Sequence, residues 1–193
     1  EAKGLAFRLE AKTQRLIAGE SGRVAAVELA GGETLPAELV VMAVGIRPNT
    51  ELAESSGLHC NCGIVVNDTL QTFDPRIYSI GDCAAHANPY AGGSVIRLES
   101  VQNANDMANT AARAICGDPQ PYEAVPWFWS NQYDLRLQTV GLNLGHDATV
   151  LRGDPASRSF SVVYLKAGQV IALDCVNKTR DYAQGRKLVE ARA

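Results

Sequence analysis

Residues 72–82 (TFDPRIYSIGD) place the strongest constraint on the fold of this 193-residue chain. Residues 77–80 predict a buried strand that runs directly into Gly81 and Asp82. In open α/β sheets, ligands bind just beyond the carboxyl ends of such strands. A carboxylate at Asp82 could accept hydrogen bonds from ligand hydroxyl groups, and Gly81 would let a ligand approach the backbone closely. The alternative is a common Gly-Asp turn that only ends a strand.

A second segment, residues 39–49 (LVVMAVGIRPN), also favours an α/β sheet. The unbroken apolar run 39–44 is typical of a strand buried on both faces. Gly45 ends that run, and the proline that follows prevents its continuation. Upstream, residues 5–11 and 23–29 alternate with period two and predict a strand meander. The alternative for residues 39–49 is a core strand followed by a simple proline turn.

A long helix is predicted from Ser100 to residue 115, after a short helix at 51–56 and a short strand at 63–67. Its apolar positions recur at three- and four-residue steps. Ser100 suits the N-cap, and the first turn leaves free amide donors with a partial positive charge. The backbone of Val101 and Gln102 is therefore a candidate contact for an electron-rich group, with Glu99 just before it. The alternative is an ordinary capped helix that only packs.

The aromatic segment 125–133 (VPWFWSNQY) marks a change of structural type. After it, residues 135–142, 148–152, 159–166 and 170–176 predict strands, and residues 179–191 predict a helix. This pattern indicates a separate α+β domain from about residue 124. Two tryptophans and a phenylalanine in three consecutive positions must point in different directions. Trp127 suits a core position, whereas Trp129 is the better candidate to face a bound ligand.

Composition excludes several other classes of protein. A net charge of −3 without a block of like charges gives no reason to expect nucleic-acid binding. Five scattered cysteines predict ordinary reduced thiols, and the pair Cys60 and Cys62 has no second pair to complete a metal site. No signal peptide or membrane-length apolar run is visible, which predicts a soluble, cytoplasmic protein. The start without methionine predicts a fragment.

These segments, in this order, resemble the FAD-dependent pyridine nucleotide-disulfide oxidoreductase superfamily. Residues 72–82 are similar to its second flavin-binding motif, and residues 40–49 to the strand that leaves the nicotinamide domain. Residues 97–104 resemble its flavin-facing helix start. Residues 126–130 resemble the Pro-x-Phe-Trp-Ser element of ferredoxin reductases that serve oxygenases and cytochromes P450. The loop at Gly92-Gly93 and residues 176–181 follow the family pattern only loosely.

The resemblance implies an α/β fold: the end of an NAD(P)-binding domain (1–45), the returning part of a FAD-binding domain (46–123), and a C-terminal α+β reductase domain (124–193). It implies that Asp82 binds the ribityl chain of FAD and that Gly81 gives it room. The start of the long helix would line the site where the flavin and the nicotinamide meet, through Glu99, Ser100, Val101 and Gln102. Trp129 would lie by the flavin. Gly45 would pass near the dinucleotide.

The function implied is electron transfer from NAD(P)H through FAD to a [2Fe-2S] ferredoxin. No side chain here is expected to act as an acid or base. No Gly-x-Gly-x-x-Gly loop occurs in the chain, so by itself it is expected to bind FAD weakly or not at all and to be inactive. Two alternatives stay open: an NADH-oxidase or nitrite-reductase type of the same superfamily, and a dimerisation or interaction module. A homodimer of the fragment is a further possibility, because a truncated sheet exposes strand edges.

Overall fold

The computed structural model describes residues 4–192. The chain divides between Ile46 and Arg47 into two compact units. No helix within residues 4–192 is both long enough and apolar enough to cross a membrane. The domain boundaries predicted at residues 45/46 and 123/124 stay predictions.

The first unit contains an antiparallel meander of β1 (Thr13–Ala18), β2 (Val24–Leu29) and β3 (Thr34–Pro36). The predicted strand at 23–29 is confirmed. The predicted strand at 5–11 is wrong, because the meander begins only at Thr13. Residues 5–11 alternate in sequence but have no ladder partner, and Leu9 is 85% exposed. Glu10, in the left-handed region at φ 57°, turns the chain before β1 begins.

The predicted buried strand at 39–44 is also wrong in this structure. These residues join no ladder in the sheet β1-β2-β3, and Val44 is 90% exposed. A strand that is apolar on both faces is stable only between neighbouring strands, with helices covering both sides. Residues 4–46 supply neither of these to the segment.

The second unit begins with α1 (Glu51–Ser55), β4 (Ile64–Val66), β5 (Ala84–Ala87), β6 (Val95–Ile96) and α2 (Val101–Ile115). The predictions of α1, β4 and the long helix α2 are confirmed. The strands form a sheet in the order β4-β5-β6, with β4 and β5 parallel. Their core contains the fully buried Leu70, Ala84 and Met107, with Tyr122 from the segment after α2.

The strand predicted at 77–80 is wrong. This segment makes one isolated bridge, between Tyr78 and Gln71, and Ile80 is 39% exposed. The ladder to β4 instead uses β5, where Ile64 pairs with Ala84. Gly81–Cys83 therefore forms a single 3-10 turn that precedes a strand. The Gly-Asp pair lies at the amino end of β5 and not beyond the carboxyl end of a strand.

The C-terminal part of the second unit is a five-stranded antiparallel sheet in the order β7-β8-β11-β10-β9. The strands and their helix are β7 (Trp127–Gln132), β8 (Leu135–Gly141), β9 (Ala148–Asp154), β10 (Ser159–Lys166), β11 (Gln169–Val176) and α3 (Thr179–Ala191). The predicted strands and helix of this region are confirmed.

Helix α3 covers one face of this sheet. Gly185 allows the close approach, because a Cβ built there would lie 2.3 Å from Cδ2 of Leu173. The resulting core is a cluster of buried side chains from the linker, the sheet and the helix: Val125, Val140, Leu173, Cys175 and Val189. This core is a separate cluster from the one around Met107.

Candidate functional site

Gly81 and Asp82 lie against the first two turns of α2. The backbone N–H of Gly81 donates to Sδ of Met107 at 3.2 Å. Gly81 adopts φ 70°, and a Cβ built there would lie 3.5 Å from Cβ of Ala104. The side chain of Asp82 is exposed, and among residues 4–192 its carboxylate has no hydrogen-bond partner. The corner therefore presents a free acceptor beside the helix start.

The amino end of α2 is capped on one side and open on the other. Ser100 is extended, and its hydroxyl oxygen accepts from the N–H of Asn103 at 3.1 Å. Its carbonyl accepts from the N–H of Ala104 at 3.1 Å. The N–H groups of Val101 and Gln102 find no acceptor in the part of the chain that the structure describes. Two donors and the positive end of the helix dipole are thus available to an electron-rich group.

Arg97 joins three pieces of this site, and it was not among the residues predicted for it. Its Nη1 donates to the carbonyl oxygen of Asp82 at 2.9 Å and to Oε1 of Glu99 at 2.5 Å, and its Nε donates to the carbonyl of Cys62 at 2.8 Å. The side chain is only 13% exposed. One guanidinium therefore fixes Glu99 and the Asp82 corner together. In the sequence, a single arginine before a helix gives no signal for this role.

Trp127 and Trp129 lie on the same face of β7, with ring centroids 5.3 Å apart and planes 30° apart. The N–H of Trp127 donates to Oε1 of Gln102 at 3.3 Å, which attaches the strand to the first turn of α2. Trp127 is half-buried and touches the C-terminal core, whereas Trp129 is 40% exposed. Trp127 thus contacts the core, as the sequence suggested, but the two tryptophans do not point in different directions. The assignment of Trp129 to a bound ligand stays a prediction.

Two grooves meet at Trp127. One is lined by α2, the tryptophans and α3: Val101, Gln102, Asn105, Asp106, Trp127, Trp129 and Arg186. The other contains the entry to α2 and the ends of two strands: Leu98, Glu99, Ser100, Pro126, Trp127, Phe128, Thr139, Gly141 and Leu142. The structure thus brings most of the predicted residues together around one helix start.

A cation lies beside the aromatic pair. The guanidinium of Arg186 is 5.9 Å from the ring centroid of Trp127. Its hydrogen bond to Glu190, at 2.8 Å, is the main reason that the pKa of Arg186 is raised, so this group stays charged. Arg186 is thus paired with Glu190, and Asp106 lines the same groove, so this edge of the site carries charges of both signs.

Gly45 belongs to the first unit, and the other predicted residues belong to the second. It adopts φ 96°, and a Cβ built there would meet no atom within 4 Å. Its assignment to a dinucleotide site stays a prediction.

The residues present suit a flavin. The exposed Asp82 carboxylate, which has no partner in residues 4–192, suits the hydroxyl groups of a polyol chain. The two open N–H groups at the start of α2 suit an electron-rich ring edge, and the indole rings suit a planar aromatic group. Within residues 4–192, no group of three or more His, Cys, Asp or Glu side chains could hold a metal ion.

Comparisons with known proteins identify the family. Residues 1–108 match the pyridine nucleotide-disulphide oxidoreductase family. The chain belongs to this family. Residues 127–193 match the reductase C-terminal family, which is the second half of the resemblance seen in the sequence. The α/β flavoprotein fold is confirmed.

Similar members of the family are ferredoxin reductases. The chain is 54% identical to the 5,5'-dehydrodivanillate O-demethylase ferredoxin reductase subunit of a Sphingobium species, over 97% of this chain and 46% of that protein. It is 42% identical to putidaredoxin reductase of Pseudomonas putida, over 88% and 40%. The crystal structure of the covalent putidaredoxin reductase-putidaredoxin complex matches with a TM-score of 0.89 and 38% identity, over 94% and 44%. The chain spans about half the length of these relatives.

Proposed function

We propose that this chain is the carboxy-terminal half of a FAD-dependent ferredoxin–NAD(P)+ reductase that supplies electrons to an oxygenase or a cytochrome P450. The observation that carries the proposal is the packing of the Gly81-Asp82 corner on the amino end of α2, whose Val101 and Gln102 also line a groove with Trp129. When bound, FAD would accept a hydride from NAD(P)H and release electrons one at a time.

The chain's own residues would bind and polarise the cofactor. The Asp82 carboxylate would accept hydrogen bonds from the ribityl hydroxyls. The N–H groups of Val101 and Gln102 would donate to the electron-rich edge of the ring and stabilise negative charge there. Arg97 would hold Glu99 and the Asp82 corner in fixed positions relative to each other. No side chain is required to move a proton.

Electron transfer to the partner would occur beside Trp129. This ring is 40% exposed, next to the cationic Arg186. Docking of the redox partner there would be weak and partly electrostatic. The proposed partner is a [2Fe-2S] ferredoxin.

The test uses the full-length protein that contains this chain. Purified protein is expected to carry FAD and to reduce cytochrome c with NADH or NADPH only when a [2Fe-2S] ferredoxin is added. Asp82→Ala is expected to lower FAD affinity by at least about tenfold, the effect of losing one hydrogen bond to a charged group at about 1.5 kcal/mol. Asp118→Ala is the matched control, because Asp118 is an exposed aspartate paired with Arg113 after α2.

Purified protein without flavin, or full FAD affinity in Asp82→Ala, would contradict the flavin assignment. Flavin that is reduced by NADH but passes electrons only to oxygen would instead indicate an oxidase of the same family. The expectation that residues 1–193 alone bind FAD weakly also stays a prediction. Visible flavin absorbance that survives dialysis of this fragment would contradict it.

A further inference from the structure

Asn103, in the first turn of α2, is completely buried, and its hydrogen bonds reach in three directions. Its backbone N–H donates to the Ser100 hydroxyl at 3.1 Å, which closes the cap. Its side-chain Nδ2 donates to the carbonyl of Leu98 at 3.0 Å, which holds the segment just before α2 in place. Its Oδ1 accepts from the hydroxyl of Tyr122 at 2.7 Å. Backbone before the helix and the linker after it are therefore tied to one amide.

The same amide reaches the Asp82 corner through Met107. Nδ2 of Asn103 lies 3.5 Å from Sδ of Met107, and that sulfur accepts the N–H of Gly81 at 3.2 Å. Both side chains are fully buried. The position of Gly81 along the helix thus depends on a sulfur that Asn103 also contacts.

Tyr122 anchors this network from outside the helix. It is 5% exposed, and its ring packs edge-to-face with that of His86 at 5.2 Å between centroids. Its backbone N–H donates to the carbonyl of Asp68 at 2.8 Å. These two contacts hold the ring in the position from which its hydroxyl donates to Asn103.

Loss of one member of such a network destabilises the fold, because the remaining polar groups stay buried without partners. An apolar residue at position 103 could fill the same space. It could not fix the direction of the helix start relative to Leu98 and Gly81. The chemistry of the site needs that direction, since amide donors act only when they point at the atom that carries charge.

We infer that Asn103 and Tyr122 are positioning residues that hold the Gly81-Asp82 corner, the Leu98–Ser100 entry and the amino end of α2 in one fixed arrangement for the cofactor. The inference rests on the proposed function for the identity of that cofactor. Neither side chain touches the cofactor; both act through the helix start.

The experiment compares Tyr122→Phe and Asn103→Asp with wild type in the full-length protein. Tyr122→Phe removes one hydroxyl, whereas Asn103→Asp keeps the acceptor for Tyr122 and replaces the donor to Leu98. The matched control is Tyr164→Phe, which removes a hydroxyl that donates to Oδ2 of Asp174 at the same 2.7 Å, far along the C-terminal sheet in β10. Thermal unfolding, FAD affinity and amide hydrogen exchange at residues 98–104 are measured for each.

We expect the FAD dissociation constant to rise about tenfold in Tyr122→Phe and further in Asn103→Asp, and exchange at residues 98–104 to accelerate by a similar factor. Tyr164→Phe should leave both quantities at the wild-type value. If the two site variants lower thermal stability as Tyr164→Phe does and leave FAD affinity and exchange unchanged, the inference is wrong. If the wild-type protein holds no FAD, the proposed function fails, and unchanged exchange would still overturn the positioning role by itself.

Discussion

Replacement of Arg97 by methionine should destabilise the second unit by about 2–4 kcal/mol. The guanidinium donates to the carbonyls of Cys62 and Asp82 at 2.8 and 2.9 Å, and hydrogen bonds of charged groups contribute about 1.5–3 kcal/mol each. The ion pair with Glu99 adds less than about 1 kcal/mol, since that carboxylate is 42% exposed and screened by water. Methionine keeps the apolar stem, and water can reach part of the released carbonyls, which together offset about a third of the loss.

The assay is urea unfolding followed by the fluorescence of Trp127 and Trp129, the two tryptophans of the chain. The matched control is Arg113→Met. Arg113 also pairs with a carboxylate, that of Asp118, but both side chains are more than half exposed, so the expected change is within about 0.5 kcal/mol. If Arg97→Met lowers the free energy of unfolding no more than Arg113→Met does, the reasoning that Arg97 holds Cys62, Asp82 and Glu99 together is refuted.

Three further predictions concern a glycine, a tryptophan and a histidine. Gly168→Ala should lower the free energy of unfolding in urea by about 1–2 kcal/mol. Gly168 has a left-handed backbone at φ 82°, and its Cβ would meet no other atom, so only the backbone strain contributes. Gly141→Ala should cost clearly more, because its Cβ would lie 2.1 Å from the carbonyl oxygen of Ile171; equal losses would contradict this. In the full-length protein, Trp129→Ala should slow ferredoxin reduction and leave flavin reduction by NADH unchanged in stopped-flow traces; equal slowing of both steps would contradict its role. Burial lowers the pKa of His86, so below the ordinary histidine pKa the unfolded state binds a proton more readily than the folded state does. Stability should therefore fall as pH drops below about 6.5, by up to about 1.4 kcal/mol per pH unit, and His86→Gln should flatten that slope.

Local patterns predicted the elements that need only short-range information. Helix α2 shows its apolar stripe and its Ser100 cap in sequence, and helix and cap agree with the structure. The strands of the C-terminal sheet and helix α3 were also predicted from the local sequence and agree with the structure. The antiparallel pairing that connects neighbours such as β10 and β11 follows from short turns.

Strand assignments failed where burial depends on distant partners. Residues 39–44 are apolar throughout, yet they form no strand here, since apolarity on both faces is realised only between neighbouring strands. Residues 77–80 have the same composition as a core strand, but β4 pairs with residues 84–86 instead. The sequence did not predict β5, because its pairing with β4 joins residues about twenty positions apart and local patterns do not reveal such a partner.

The sequence by itself determined the family and the helix start at Ser100, and it predicted a flavin site at Asp82, Val101, Gln102 and Trp129. These follow from order and spacing along the chain. Only the tertiary structure decided that Arg97 joins Asp82 to Glu99, and that Asn103 and Tyr122 tie the helix start to its surroundings. Those contacts join residues up to 35 positions apart, as in the bond from Arg97 to Cys62. A hydrogen bond is made by atoms within about 3 Å in space, and the spacing of letters in a chain does not encode that distance.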